Sequence, residues 1–95
     1  MGMAARQKKF SFHWGSGVVA EEAQAEGHWH RPTLQLMEYT DGEAKGNLSV
    51  RFCTYTPRGR FSRSPLMMSQ DDIELLRAEL KKTPRLRNLL KRLVE

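Results

Sequence analysis

Apolar and polar residues alternate most clearly from Thr33 to Thr40 and from Leu48 to Tyr55. A period of two places alternate side chains on opposite faces of a strand. In the first segment Leu34 and Leu36 point one way, and Gln35, Met37 and Tyr39 the other. In the second, Leu48, Val50 and Phe52 oppose Arg51, Cys53 and Tyr55. The leucine-bearing face is expected to point inward, with the opposite face open to solvent. Asp41-Gly42 and Gly46-Asn47 bracket the connection between the two strands. Thr56-Pro57-Arg58-Gly59 suits a type I turn, because proline presets φ and Gly59 accepts the left-handed conformation of a bulged hairpin. Arg60 to Met68 is read as a returning strand, confined to an edge or bulge because Pro65 has no N–H to donate.

The period then changes. Ser69-Gln-Asp-Asp72 is a helix start: the serine can cap the Asp72 N–H, and both aspartates favour the positive end of the helix dipole. Ile73, Leu76 and Leu80 form a stripe that Leu75 widens. Thr83-Pro84 starts a second helix, with threonine as N-cap and proline in the first turn. Leu86, Leu89, Leu90 and Leu93 form its stripe. The fold class is α+β, an antiparallel sheet of three to four strands with one or two C-terminal helices on one face. Residues 1–31 are read as an N-terminal arm and connector, partly flexible, and 32–95 as the domain. Within the arm, Phe10, Phe12 and Trp14 share one side of a short strand that Gly15-Ser-Gly17 ends. Val18 to Glu26 is a short helix or a loop.

Charge sharpens the picture. The 95 residues carry 16 Lys/Arg against 11 Asp/Glu, a net charge of +5. Arg51 to Arg63 holds four arginines and no acid, and Lys81 to Arg92 six cations and no acid. The side set opposite the leucines is Gln35, Met37, Tyr39, Arg51 and Tyr55, joined by Phe61 and Arg63. Aromatic rings accept stacked bases, and guanidinium groups meet phosphates or stack on bases. The candidate nucleic-acid-binding residues are therefore Tyr39, Arg51, Tyr55, Arg58, Arg60, Phe61 and Arg63. Tyr39, Tyr55 and Phe61 are assigned to stacking, and the arginines to phosphates. The competing reading is a protein–protein or dimerisation module, docking through the sheet or the last helix. A chain this short buries little surface by itself, so a homodimer is expected.

Other chemistries find little support in the sequence. One cysteine, Cys53, rules out an internal disulfide and a cysteine-based zinc site. His28 and His30 could share a strand face and His13 join them, but no well-spaced acid completes a metal set. A glycine-rich phosphate loop and nucleophile–base motifs are both missing. The chain is read as a non-enzyme with no cofactor, no metal and no small-molecule substrate. With no apolar run near 18 residues, no membrane association is expected, and the location is read as cytoplasmic, or nuclear in a eukaryote.

The order of strand, basic turn, strand and capped leucine-rich helix resembles the single-stranded-DNA-binding transcriptional coactivators called positive cofactor four. The matching segments are Val50-Arg-Phe-Cys-Thr-Tyr55, Pro57-Arg-Gly-Arg60 and Pro65-Leu-Met-Met-Ser-Gln-Asp-Asp-Ile-Glu-Leu-Leu76, within residues 33–82. Arg58-Gly59-Arg60-Phe61 is also similar to a strand start in the purine-rich-element-binding family. The helix after Thr83 is additional to the positive-cofactor-four pattern. The resemblance implies a transcription-associated homodimer whose curved sheets bind single strands without strict sequence choice.

Overall fold

The computed structural model describes residues 8–62 and 65–95. Five antiparallel strands form a meander in chain order: β1 (Lys9–Phe12), β2 (Gly15–Gln24), β3 (Arg31–Asp41), β4 (Leu48–Tyr55) and β5 (Leu66–Ser69). Two helices follow, α1 (Gln70–Leu80) and α2 (Pro84–Val94). The class is α+β with the helices after the sheet, as the periodicity predicts.

The segment read as an arm instead supplies two strands. Val18–Glu26 is mostly extended, so the helical preference of its Ala/Glu run yields to pairing along β3, from Ser16↔Asp41 to Gln24↔Thr33. Gly15 and Gly17 do not end a strand; they begin β2, after a tight turn at His13-Trp14. Their role is close approach. A Cβ on Gly17 would lie 1.9 Å from the Glu38 carbonyl oxygen.

The hairpin turns follow the sequence closely. Gly42, Gly46 and Gly59 have φ of 84°, 88° and 89°, a region that glycine enters without steric cost. The Gly59 N–H donates to Thr56 O at 2.8 Å, and Thr56 N–H to Arg60 O at 2.8 Å. Within the expected return strand, Phe61 forms an isolated bridge to Tyr55 and Leu66–Ser69 pairs with β4; residues 63–64 lie outside the described residues. Ser69 and Asp72 cap α1 reciprocally: the Asp72 N–H donates to Ser69 Oγ at 3.1 Å, and the Ser69 N–H to Asp72 Oδ2 at 3.2 Å. Thr83 precedes Pro84 as expected, but its hydroxyl donates to Leu80 O and does not cap α2.

Burial reverses the expected faces. Met37 is fully buried, Gln35 is 1% exposed, Tyr39 4% and Tyr55 8%, whereas Leu34, Leu36, Leu48, Val50 and Phe52 are only half-buried. Curvature is the reason. Register shifts mark two bulges in this pair, one at Thr40 of β3 opposite Ser16/Gly17 and one at Ala20 of β2 between Val19 and Glu21, and bulges increase twist and bend a strand. Neighbouring strands lie about 4.8 Å apart, so in a flat sheet Lys8, beside β1, could not reach β4. Yet Lys8 Nζ sits 4.3 Å from the Tyr55 ring centroid. The sheet therefore curls around the Gln35/Met37/Tyr39 side. A concave face converges its side chains and buries even polar ones. The convex face spreads its leucines apart, with Ile73 of α1 and Leu93 of α2 at its borders.

Candidate nucleic-acid interface

The concave face has two connected zones. One is apolar: Phe10, Met37 and Tyr39 form its centre, with Phe12, Ala44 and Met67 packed around them. Phe10 meets Tyr39 edge-on at 5.0 Å, and Phe12 stacks on Trp14 at 4.7 Å with an 11° interplanar angle. Trp14 Nε1–H donates to the Tyr39 hydroxyl at 3.0 Å. The Ala44 N–H donates to Trp14 O, tying the β3–β4 loop to the β1–β2 turn. Phe12 is half-buried and Trp14 is 39% exposed, so this stack surfaces at the rim.

The second zone is polar and centred on Gln35. Its Nε2 donates to Glu22 Oε2 at 2.7 Å and to the Tyr55 hydroxyl at 3.0 Å. Its Oε1 accepts from Arg51 Nε at 2.7 Å. Lys8 Nζ donates to Glu22 Oε2 at 2.6 Å. A buried amide that uses both ends holds its partners in one geometry, because an unpaired buried polar atom costs about 1–3 kcal/mol. The Arg51 guanidinium is thereby set 4.8 Å from the Phe61 ring centroid, while Phe61 meets Tyr55 edge-on at 5.4 Å.

Electrostatics follow from this packing. Burial works to raise the Glu22 carboxyl pKa, but hydrogen bonds from Lys8 and Gln35, with the charges of Lys8 and Arg51, hold it below its ordinary 4.5. Burial opposes the Lys8 ammonium, but its contacts with Glu22 and Tyr55 outweigh that and raise it above 10.5. Burial pushes the Cys53 thiol up, against the pull of Arg51, which makes it a poor nucleophile. A depressed carboxylate contributes stability that is present above its unfolded pKa and lost as pH falls through the folded one. Glu22→Gln is therefore expected to flatten the loss of thermal stability below about pH 4.5. Tryptophan-fluorescence melts from about pH 7 down to pH 3 check it; an unchanged acid slope would uncouple Glu22 from folding.

The sequence-selected residues divide into three groups. Arg51 and Phe61 come together over Tyr55, with exposed Arg58 and Arg60 on the adjoining turn. Tyr39 and Tyr55 are buried and offer no open ring face, so they support the surface rather than stack bases. Arg63 lies outside the described residues. Lys8, Phe12 and Trp14 lie outside the sequence-selected set; the Phe10/Phe12/Trp14 alternation is the signal that points to the two aromatic residues. His13 and His28 each lie edge-on to a neighbouring tryptophan. Among the described residues no three His, Cys, Asp or Glu side chains group as metal ligands, and no helix is long and apolar enough to cross a membrane.

The geometry defines a curled antiparallel sheet with a filled concave face and an aromatic–cationic rim. No protein-family model, curated protein or solved structure matches the chain.

Proposed function

We propose that the concave rim binds single-stranded nucleic acid, DNA or RNA, in a transcription-associated role. The observation that carries this reading is the Phe61–Arg51 pair. An aromatic ring, 43% exposed, lies against a guanidinium fixed from below by a buried amide, next to a turn bearing Arg58 and Arg60. From Arg51 to Ser62 there is no acid to repel a phosphate. The exposed part of the Phe61 ring and the Phe12–Trp14 stack accept bases, while Arg51, Arg58 and Arg60 meet phosphates. A stacked base contributes about 1–3 kcal/mol, so two aromatic positions suffice for measurable binding when the arginines add their electrostatic share. The resemblance of residues 33–82 to the positive cofactor four family supports the same reading.

Fluorescence anisotropy with a labelled single-stranded oligonucleotide, at low and high salt and beside a duplex control, tests it. Binding should favour the single strand and weaken as salt rises, because each neutralised phosphate releases counterions. Phe61→Ala should weaken binding about fivefold to a hundredfold at every salt concentration. Arg60→Ala should mainly flatten the salt dependence, by about 0.7 in the logarithmic slope. No binding at low salt would overturn the proposal.

A further inference from the structure

The convex face and the two helices are left incomplete in a single chain. Neither helix buries a residue. Ile73, Leu76, Leu86, Leu89, Leu90 and Leu93 are 36–60% exposed. Ile73 borders a cleft over Leu36, Leu48 and Val50. Leu93 borders a larger groove, about 520 Å³, floored by Ala23, Leu34 and Phe52. On a soluble monomer the largest exposed apolar patch is typically about 300–600 Å² and often functional.

Charge identifies the occupant. Register places Glu21 opposite Leu36 and Glu38 opposite Leu48, so both carboxylates stand at the margins of the aliphatic sheet face. Both are exposed. The leucine stripe of α2 is flanked by Arg85, Arg87, Lys91 and Arg92. Among the described residues none of these six charges has an ion-pair partner; the pairs formed are Lys8–Glu22, Arg31–Glu26, Arg77–Glu74 and Lys82–Glu79. One surface is thus aliphatic with two carboxylates and one cation, Lys9, at its margin, and another is aliphatic with a wholly basic margin, on the same chain. An isologous two-fold pairs each with its counterpart twice. An 11-residue helix is about 16 Å long, close to the roughly 14 Å spanned by four strands.

We infer that a second copy of this chain covers the convex face, its α2 leucines seated on Leu34, Leu36, Val50 and Phe52 of the first copy, and reciprocally. The contact leaves both concave rims free, so it is independent of the nucleic-acid reading.

Sedimentation velocity of the full chain over a range of concentrations tests the inference. The expected mass is twice 11.0 kDa. Leu89→Glu should give monomer. Because a leucine change can also disturb folding, surface charges supply the second arm. Glu21→Lys with Glu38→Lys should weaken dimerisation at least tenfold, and Arg87→Glu with Lys91→Glu should do the same. All four together should restore it, with circular dichroism unchanged throughout. A wild-type chain that stays monomeric at every concentration would overturn the inference. So would a dimer indifferent to the charge reversals, or one that the fourfold exchange does not restore.

Discussion

Tyr55→Ala is expected to destabilise the protein by about 3–5 kcal/mol, as truncation of a buried aromatic side chain generally does. For a domain of this size each kcal/mol shifts the melting midpoint by about 4–8 °C, so the midpoint should fall by more than about 12 °C. The residue is 8% exposed, and its hydroxyl accepts from Gln35. Its ring lies under Lys8 and edge-on to Phe61. Tyr55→Phe should keep the ring contacts and lose one hydrogen bond, about 1 kcal/mol. The ratio of the two effects, read from thermal melts, separates a core role from a surface one. A Tyr55→Ala protein that melts like wild type would return Tyr55 to the set of open stacking platforms.

Gly17→Ala should be at least as damaging, though it adds only a methyl group. That methyl would lie 1.9 Å from the Glu38 carbonyl oxygen and 2.9 Å from the Tyr39 Cα. Both neighbours are backbone, so no rotamer change relieves the overlap, and β2 must separate from β3. Pairing with β3 is what joins the N-terminal strands to the sheet. The expected result is loss of cooperative melting, or a midpoint lowered by at least as much as for Tyr55→Ala. Gly59→Ala offers a contrast: nothing lies within 4 Å of its added Cβ, and only the positive φ opposes it. That strain costs about 1–2 kcal/mol. Equal melting of the Gly17 and Gly59 variants would refute the close-approach argument.

Much of the fold is legible where local chemistry decides the outcome. The alternation of Leu48–Tyr55, the Thr56–Gly59 turn and the Ser69 capping box are each set within a few residues of the chain. Proline's fixed φ, glycine's access to positive φ and serine's short hydroxyl act before any tertiary structure exists. The basic segment around Arg58 and Arg60 is equally plain, because charge is additive along the chain.

Three features were not legible. The β2 strand lies in an Ala/Glu run whose intrinsic preference is helical, and only pairing with β3 reverses it. Apolarity marks the leucine-bearing face as the inside, yet the structure buries the opposite face. Gln35 and Arg51 are polar, yet their hydrogen bonds to each other, and those of Gln35 to Glu22 and Tyr55, allow them to line a concave surface. The leucines opposite sit on the convex side, where the chain's own helices leave them half-buried. The candidate site was legible in composition but not in membership: Arg51, Arg58, Arg60 and Phe61 remain on its surface, Tyr39 and Tyr55 move beneath it, and Phe12 and Trp14 join it.

By itself, then, the sequence determined the β3 and β4 strands, the turns and the helix starts, because each is settled by neighbours in the chain. Tertiary structure alone decided which face of the sheet is inside. That depends on the direction in which the bulged β2 strand curls the sheet, and curvature is a property of all five strands together.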